Sequence, residues 1–575
     1  MGAGGGDAGV FFDAALQKRQ AMMGKSGPAA LIKNFRVFRI AAFACIGGVL
    51  YGYNQGMFSG VLAMPAFERH MGDYTENETK KGWLTAILEL GAWLGTLLSS
   101  FVAEVLSRKY GVLVACSFFI LGVVIQTTAV AAGHNSILAG RFITGMGVGS
   151  LAMIVPIYNS EVAPPEVRGA LVATQQLAIC FGIMISFWID YGTNHIGGTD
   201  KGQSDAAWLL PVCLQLAPAV ILFIGMIFMP FSPRWLINHG REEEAREVLS
   251  DLRGLPPDHE LVEIEFLEIK AQSLFEKRSI AEMFPHLSER TPWNIFKLQF
   301  VAIKKLFETK AMFRRVIVAT VTMFFQQWTG INAVLYYAPF IFEGLGLDLN
   351  TTSLLATGVV GIVMFIATIP SVLWIDRAGR KPVLTIGAIG MATCHIIIAV
   401  LVAKNIGNWE NQRASGWAAV CMVWLFVVHF GYSWGPCAWI IIAEIWPLST
   451  RPYGVALGAS SNWMNNFIVG QVTPDMLKGM PYGTYILFGL LTYLGAAFIW
   501  FLVPETKRLS LEEMDVLFGS EGTAAADFER MEEINNEIGL TQLLRGFGSD
   551  AEKASDGVKP KNELLETSNV KELEA

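Results

Sequence analysis

Glu161-Val-Ala-Pro-Pro-Glu-Val-Arg168 recurs as Glu444-Ile-Trp-Pro-Leu-Ser-Thr-Arg451: an acid, a proline three residues on and an arginine four beyond that, offset by 444 − 161 = 283 residues. Ahead of each copy an acid is followed by Arg-Lys, as Glu104…Arg108-Lys109 and Asp376…Arg380-Lys381, offset by 376 − 104 = 272. Behind them, Pro230-Phe-Ser-Pro-Arg234 is echoed by Pro504-Glu-Thr-Lys-Arg508, offset by 504 − 230 = 274. Three markers in one order at nearly one offset predict a duplicated chain. Each marker lies beside a long apolar run, so the repeat is a membrane half, an arrangement that puts a substrate site between the halves at mid-membrane.

Composition points the same way. The 575 residues are 53% hydrophobic and 16% charged, with mean hydropathy +0.42, whereas ordinary soluble domains carry about 25% charged residues. The net charge of −7 is spread over the termini and one central loop, and no Lys/Arg-rich block forms a nucleic-acid surface. The seven cysteines lie in or beside apolar runs without zinc or disulfide spacing, so neither a metal nor a cofactor is expected. No nucleophile-base pair or phosphate-binding loop suggests an enzyme, because the Gly140…Gly149 string lies inside an apolar run where no dinucleotide fold could form.

Apolar stretches of about 20 residues fall near 38–60, 83–104, 111–132, 137–158, 171–192 and 208–230, then near 316–342, 353–375, 382–403, 417–443, 454–474 and 482–503. The expectation is an all-helical integral membrane protein of twelve spans in two pseudo-symmetric six-helix bundles. Its parts are a cytoplasmic N-terminal segment (1–37), a first bundle (38–230), a central cytoplasmic loop with short amphipathic helices (231–315), a second bundle (316–503) and a cytoplasmic tail (504–575), largely disordered after about 518. Arg108, Lys109, Arg168, Arg377, Arg380, Lys381 and Arg451 all fall in even-to-odd connections, which places both termini in the cytoplasm. Two Asn-x-Thr sequons, at Asn77 and Asn350, fall in loops on the opposite side and are candidate glycosylation sites. Gly91, Gly95 and Ser99 repeat every four residues and suit close helix contact. Asp190, near a span end, reads as interfacial.

The chain resembles the sugar porter family of the major facilitator superfamily, and within it the fungal branch. The resemblance rests on Gly140-Arg-Phe-Ile-Thr-Gly-Met-Gly-Val-Gly149, Glu161 to Gly169, Pro233-Arg-Trp-Leu236, Gln326-Gln-Trp-Thr-Gly-Ile-Asn332 with Tyr336-Tyr337, Asp376 to Lys381, and Pro504-Glu-Thr-Lys507 leading to Leu511-Glu-Glu513. It covers roughly residues 38 to 518. It implies transport of a monosaccharide, a hexose or pentose, by alternating access across a bilayer, with the plasma membrane as the expected location.

A sugar presents hydroxyls that both donate and accept, and apolar C–H faces; amides match the former and indoles the latter. The resemblance points to Gln176, Gln326, Gln327, Asn332, Trp439, Asn462 and Trp463 as substrate-binding residues. Gln326, Gln327 and Asn332 span nearly two helical turns and are expected to form one polar patch. The competing reading is that such amides only join helices.

Departures from the family pattern bear on coupling. Proton-driven members carry an Asp after the first-span Tyr-Gly-Tyr-like motif, but here the string is Tyr51-Gly-Tyr-Asn54, which favours facilitated diffusion. By resemblance Arg141 lies near Asn54. Glu89, deep in the second span, opens the alternative of a proton symporter with a relocated carboxylate. Met364 replaces a usual sugar-contacting Asn, and Phe231, Leu209 and Ser107 depart in the first half. Glu104, Arg108, Glu161 and Arg168 of one half and Asp376, Arg377, Arg380, Glu444 and Arg451 of the other are expected to form a cytoplasmic gate, paired across the halves when that side is closed. His395 and His429 read as hydrogen-bonded helix residues. A sugar receptor of the same fold is the remaining alternative, against which the short tail argues.

Overall fold

A computed structural model of the chain describes residues 35–163, 165–199, 202–287, 289, 291–348, 352–507, 511–519 and 523–544. Among the described residues every element is helical. Ten helices are long and apolar enough to cross a membrane. Two more complete the twelve spans of the major facilitator fold and are less plainly apolar: span 7 is broken into pieces of 19 and 14 residues, the first carrying Arg314, Arg315, Gln326 and Gln327, and span 11 carries Asn462, Asn465, Asn466 and Gln471. The first half comprises span 1 (Val37–Val61), span 2 (Glu78–Val105), span 3 (Arg108–Thr127), span 4 (His134–Val162), span 5 (Pro165–Thr193) and span 6 (Ala206–Phe228). The second comprises span 7 (Lys310–Trp328 and Ile331–Gly344), span 8 (Leu354–Ala378), span 9 (Arg380–Asn405), span 10 (Arg413–Tyr432 and Trp434–Glu444), span 11 (Arg451–Gly479) and span 12 (Pro481–Leu502).

Glycine decides how closely the spans approach. A Cβ added at Gly91 would lie 2.1 Å from the Phe142 carbonyl oxygen, and one at Gly149 2.0 Å from that of Ala92, so spans 2 and 4 meet backbone to backbone. Thr96 and Ser150 seal the seam, donating to the carbonyls of Gly149 and Gly95 at 3.2 and 3.1 Å. The stripe at Gly91, Gly95 and Ser99 is thus the contact face that its spacing predicts, with Ser99 buried.

The halves meet along span 2 with span 11 and span 5 with span 8, two contacts related by the internal duplication. At the end carrying the span 2 N-terminus, here the far end, Thr79 donates to Asp475 at 2.9 Å, Gln471 donates to the Thr79 carbonyl at 2.9 Å and Lys478 reaches Glu78 at 3.5 Å. All three cross between halves. At the opposite, basic end Arg108 pairs with Glu104 and Glu161 of its own half, both at 3.0 Å, and Arg380 with Glu444 of its own half at 2.9 Å. The bonds between halves at Thr79, Gln471 and Lys478 close this conformer at the far end. The side chains of Arg168, Asp376 and Arg377, like all of Asn350, lie outside the described residues.

The central segment folds as helices Pro233–Asn238, Glu242–Arg253, Glu260–Met283 and Pro292–Lys305, the third longer than a short helix. Trp235, Leu236, Ala245, Leu249, Val262 and Phe266 give the segment a small core of its own. It leans on the first half, where the Trp235 indole donates to the Glu104 carbonyl at 3.2 Å and Ser232 donates to Glu161.

The tail differs from the expectation of disorder after residue 518. Helix Thr523–Glu537 lies against Glu260–Met283, with Ile534 fully buried on Ala271 and Phe275, and Arg530 bonded to Glu282. Its Glu-rich composition hides an apolar series, Met531, Ile534 and Ile538, at spacings of 3 and 4 that suffices to dock it. Asp190, three residues from the end of span 5, is fully buried against Gly60.

Candidate functional site

Span 7 breaks at Thr329-Gly330, where Gly330 adopts φ +86°, a left-handed conformation that glycine accepts without strain. Around the break Thr329 donates to the Gln326 carbonyl at 2.7 Å and a His395 ring nitrogen lies 2.8 Å from the Thr329 carbonyl, which satisfies backbone that the helix no longer pairs. Gln326 and Gln327 are successive residues of the helix ahead of the break and point about 100° apart, so the amides divide between two directions instead of forming the single patch expected. Gln326 donates to the Trp434 carbonyl at 2.8 Å, in the kink of span 10, and accepts from Asn462 of span 11. Gln327 instead accepts from Asn332, whose Oδ1 accepts from Gln55 of span 1 at 2.9 Å.

Every member of this network is buried. Each pairing runs one way, from an amide N–H to an amide oxygen, so the side chains keep unused capacity that a hydroxylated ligand can take up. Trp463 is buried beside it with its ring 5.4 Å from that of Tyr51 and its indole N–H unpartnered. Gln176 is half-buried with only the Cys180 sulfur, at 3.9 Å, as a partner. Trp439 is half-buried at the edge of the core. Among the described residues no hydrogen bond joins Gln176 or Trp439 to the other five.

Below the amides lies an ionisable cluster. Tyr336 donates to Glu89 Oε1 at 2.6 Å and Asn466 to Glu89 Oε2 at 2.9 Å, so a carboxylate of span 2 is held by spans 7 and 11 of the other half. Arg141 stacks over the Phe58 ring at 3.7 Å and donates to the Thr85 carbonyl at 3.0 Å. Its Nε and Nη1 are buried without hydrogen-bond partners. The expected neighbour, Asn54, is turned away and donates to Gln215 of span 6 at 2.7 Å.

Sequence reasoning missed Gln55, Tyr51, Tyr336 and Asn466. Gln55 adjoins Asn54, which drew attention for what it lacks, and Asn466 stands four residues beyond Asn462 on one helix face. The sequons divide: Asn77 is the exposed N-cap of span 2, accepting from the Lys80 amide at 3.1 Å, while Asn350 is not described. Among the described residues no cluster of ligating side chains could hold a metal ion.

A family model described as "Sugar (and other) transporter" matches residues 40–518. The chain belongs to this transporter family. A quinate permease of Neurospora africana is 32% identical over 556 residues, covering 94% of this chain and 97% of that one. A probable quinate permease of Aspergillus fumigatus is 33% identical over 498 residues, covering 85% and 88%. Among solved structures, the proton:xylose symporter XylE bound to 6-bromo-6-deoxy-D-glucose superposes with TM-score 0.67 at 26% identity, covering 84% of this chain and 99% of that one. An inward open form of XylE from E. coli gives TM-score 0.67 at 25% identity. The sugar transporter family thus accounts for both bundles and for the helices between them.

Proposed function

We propose that this family member carries a neutral monosaccharide, a hexose or pentose, across the membrane by alternating access and facilitated diffusion. The observation that carries the reading is the buried amide network of Gln326, Asn462, Gln327, Asn332 and Gln55, neutral throughout and split between halves, so that a ligand held there is shared by both. The basic end faces the cytoplasm of a plasma-membrane carrier, because Arg108, Arg380 and Arg451 stand there. Facilitated diffusion follows from Asn54, which carries no titratable proton. Counterflow in proteoliposomes with hexoses, pentoses, polyols and quinate tests the substrate class. Exchange of quinate alone would transfer the substrate of the Neurospora and Aspergillus relatives to this chain and sink the monosaccharide reading.

A second reading rests on its own observation. Glu89 sits between the halves with bonds to Tyr336 and Asn466 that must break when the far end opens, an arrangement suited to proton symport. Accumulation of substrate under an imposed pH gradient decides between the two.

A further inference from the structure

Helix Pro292–Lys305 and the linker into span 7 carry an outward ridge that leaves its aromatic rings exposed among the described residues. Trp293, Lys297, Phe300 and Lys304 follow at spacings of 4, 3 and 4, which stacks them along one side of a helix. Trp293 and Phe300 are each 62% exposed, and Phe307 continues the ridge at 48%. The opposite side holds the helix in place: Leu298 and Ala302 are buried with Phe284, and Tyr453 of span 11 packs on this cluster. The Phe296 ring also stands 5.8 Å from that of Phe101 at the end of span 2. The helix therefore touches both halves at the basic end, five residues before span 7 begins at Lys310.

Its charge is one-sided. Among the described residues no ion pair engages Lys297, Lys304, Lys305 or Lys310, although the loop helices beside them are laced with pairs such as Lys270 to Glu242 at 2.8 Å. Lys297 and Lys305 lie over aromatic rings, of Trp293 at 5.2 Å and Phe284 at 5.2 Å. The ridge runs on into exposed Phe313 and Ile317 of span 7, which face lipid, so it lies at the level where acyl chains give way to headgroups. Aromatic rings set between unpaired lysines there match an anionic interface.

We propose that the ridge of Trp293, Lys297, Phe300 and Lys304, with Lys305 on its flank and Lys310 beyond its end, is a docking surface for anionic phospholipid headgroups of the leaflet at the basic end. Through Tyr453 and Phe101 the bound lipid steadies a helix that bears on both halves.

The test uses the full chain reconstituted in vesicles with spin-labelled phosphatidylserine or phosphatidylcholine, reading the motionally restricted fraction by electron paramagnetic resonance. The parent should restrict phosphatidylserine several-fold more than phosphatidylcholine, and high salt should erode the difference. Replacing the four lysines by Gln should bring the ratio close to one, while replacing all four by Arg should keep it. Inorganic phosphate at matched ionic strength should not displace the lipid. Equal restriction of the two lipids in the parent, an undiminished ratio in the Gln variant, or displacement by phosphate would each overturn the proposal. Substrate counterflow is not the readout, so the outcome is independent of which solute is carried.

Discussion

The Tyr336 hydroxyl donates to Glu89 at 2.6 Å, and this single bond ties span 7 of one half to span 2 of the other across the buried middle of the protein. Asn466 adds a second tie at 2.9 Å. Every hydrogen bond of this kind must break for the far end to open, so the bonds set how strongly the protein rests in the present conformer.

Tyr336→Phe keeps the ring and removes the donor. A hydrogen bond to a charged group is worth about 1.5–3 kcal/mol, so the population open at the far end should rise by roughly tenfold or more. Labelling of a cysteine engineered into the far-end vestibule should quicken accordingly. Asp475→Asn, at an exposed bond worth about 1 kcal/mol or less, should change the rate by no more than about fivefold. Equal rates in Tyr336→Phe and parent would remove the tie from the mechanism.

Gln326→Ala and Gln327→Ala each delete a buried amide. At about 0.5–1.5 kcal/mol per bond, apparent substrate affinity should fall several-fold while the amount of protein in the membrane holds. Because Asn462 donates to Gln326, the double variant Gln326→Ala/Asn462→Ala should lose less than the sum of the single losses. Asn332→Ala should resemble Gln327→Ala, with which it shares a bond. Unchanged affinity in the well-folded single variants would place the amides apart from the ligand, and additive losses in the double variant would show that Gln326 and Asn462 act independently.

Energy coupling separates on one measurement. For facilitated diffusion, substrate equilibrates without accumulating and a protonophore leaves initial uptake unchanged. For proton symport through Glu89, uptake exceeds equilibrium under a pH gradient, and Glu89→Gln abolishes accumulation while sparing counterflow.

Gly91→Leu should fail to assemble, since even a Cβ there would lie 2.1 Å from the Phe142 carbonyl oxygen. Gly192→Ala, with nothing within 4 Å of the added carbon, is the control. Size-exclusion profiles of fluorescently tagged protein report both. A monodisperse Gly91→Leu profile would show that spans 2 and 4 can part without cost.

Much of the fold is legible in the sequence because apolar length and a duplicated acid-proline-arginine pattern are local signals. The Gly91, Gly95, Ser99 stripe reads correctly for the same reason. What escaped is what depends on three-dimensional company. Nothing in the spacing of Gln326, Gln327 and Asn332 announces that Asn332, beyond the break at Gly330, turns back to donate to Gln327. Asn54 donates to Gln215, a partner 161 residues away that no pattern announces, and its own amide oxygen stays unpartnered. Charge composition marks the tail as unstructured, yet Ile534 finds a buried seat on a helix that is itself surface-exposed elsewhere.

The polarity of spans 7 and 11 bears on how the protein is made. Each would enter lipid reluctantly by itself, since unpartnered amides at bilayer depth are costly. Their amides are satisfied chiefly by one another and by spans 1, 2 and 10: Gln326 by Asn462, Asn332 by Gln55, Asn466 by Glu89. Asn332 and Asn466 each take one partner from the first half, and the order of synthesis, first bundle then second, supplies Gln55 and Glu89 ahead of them.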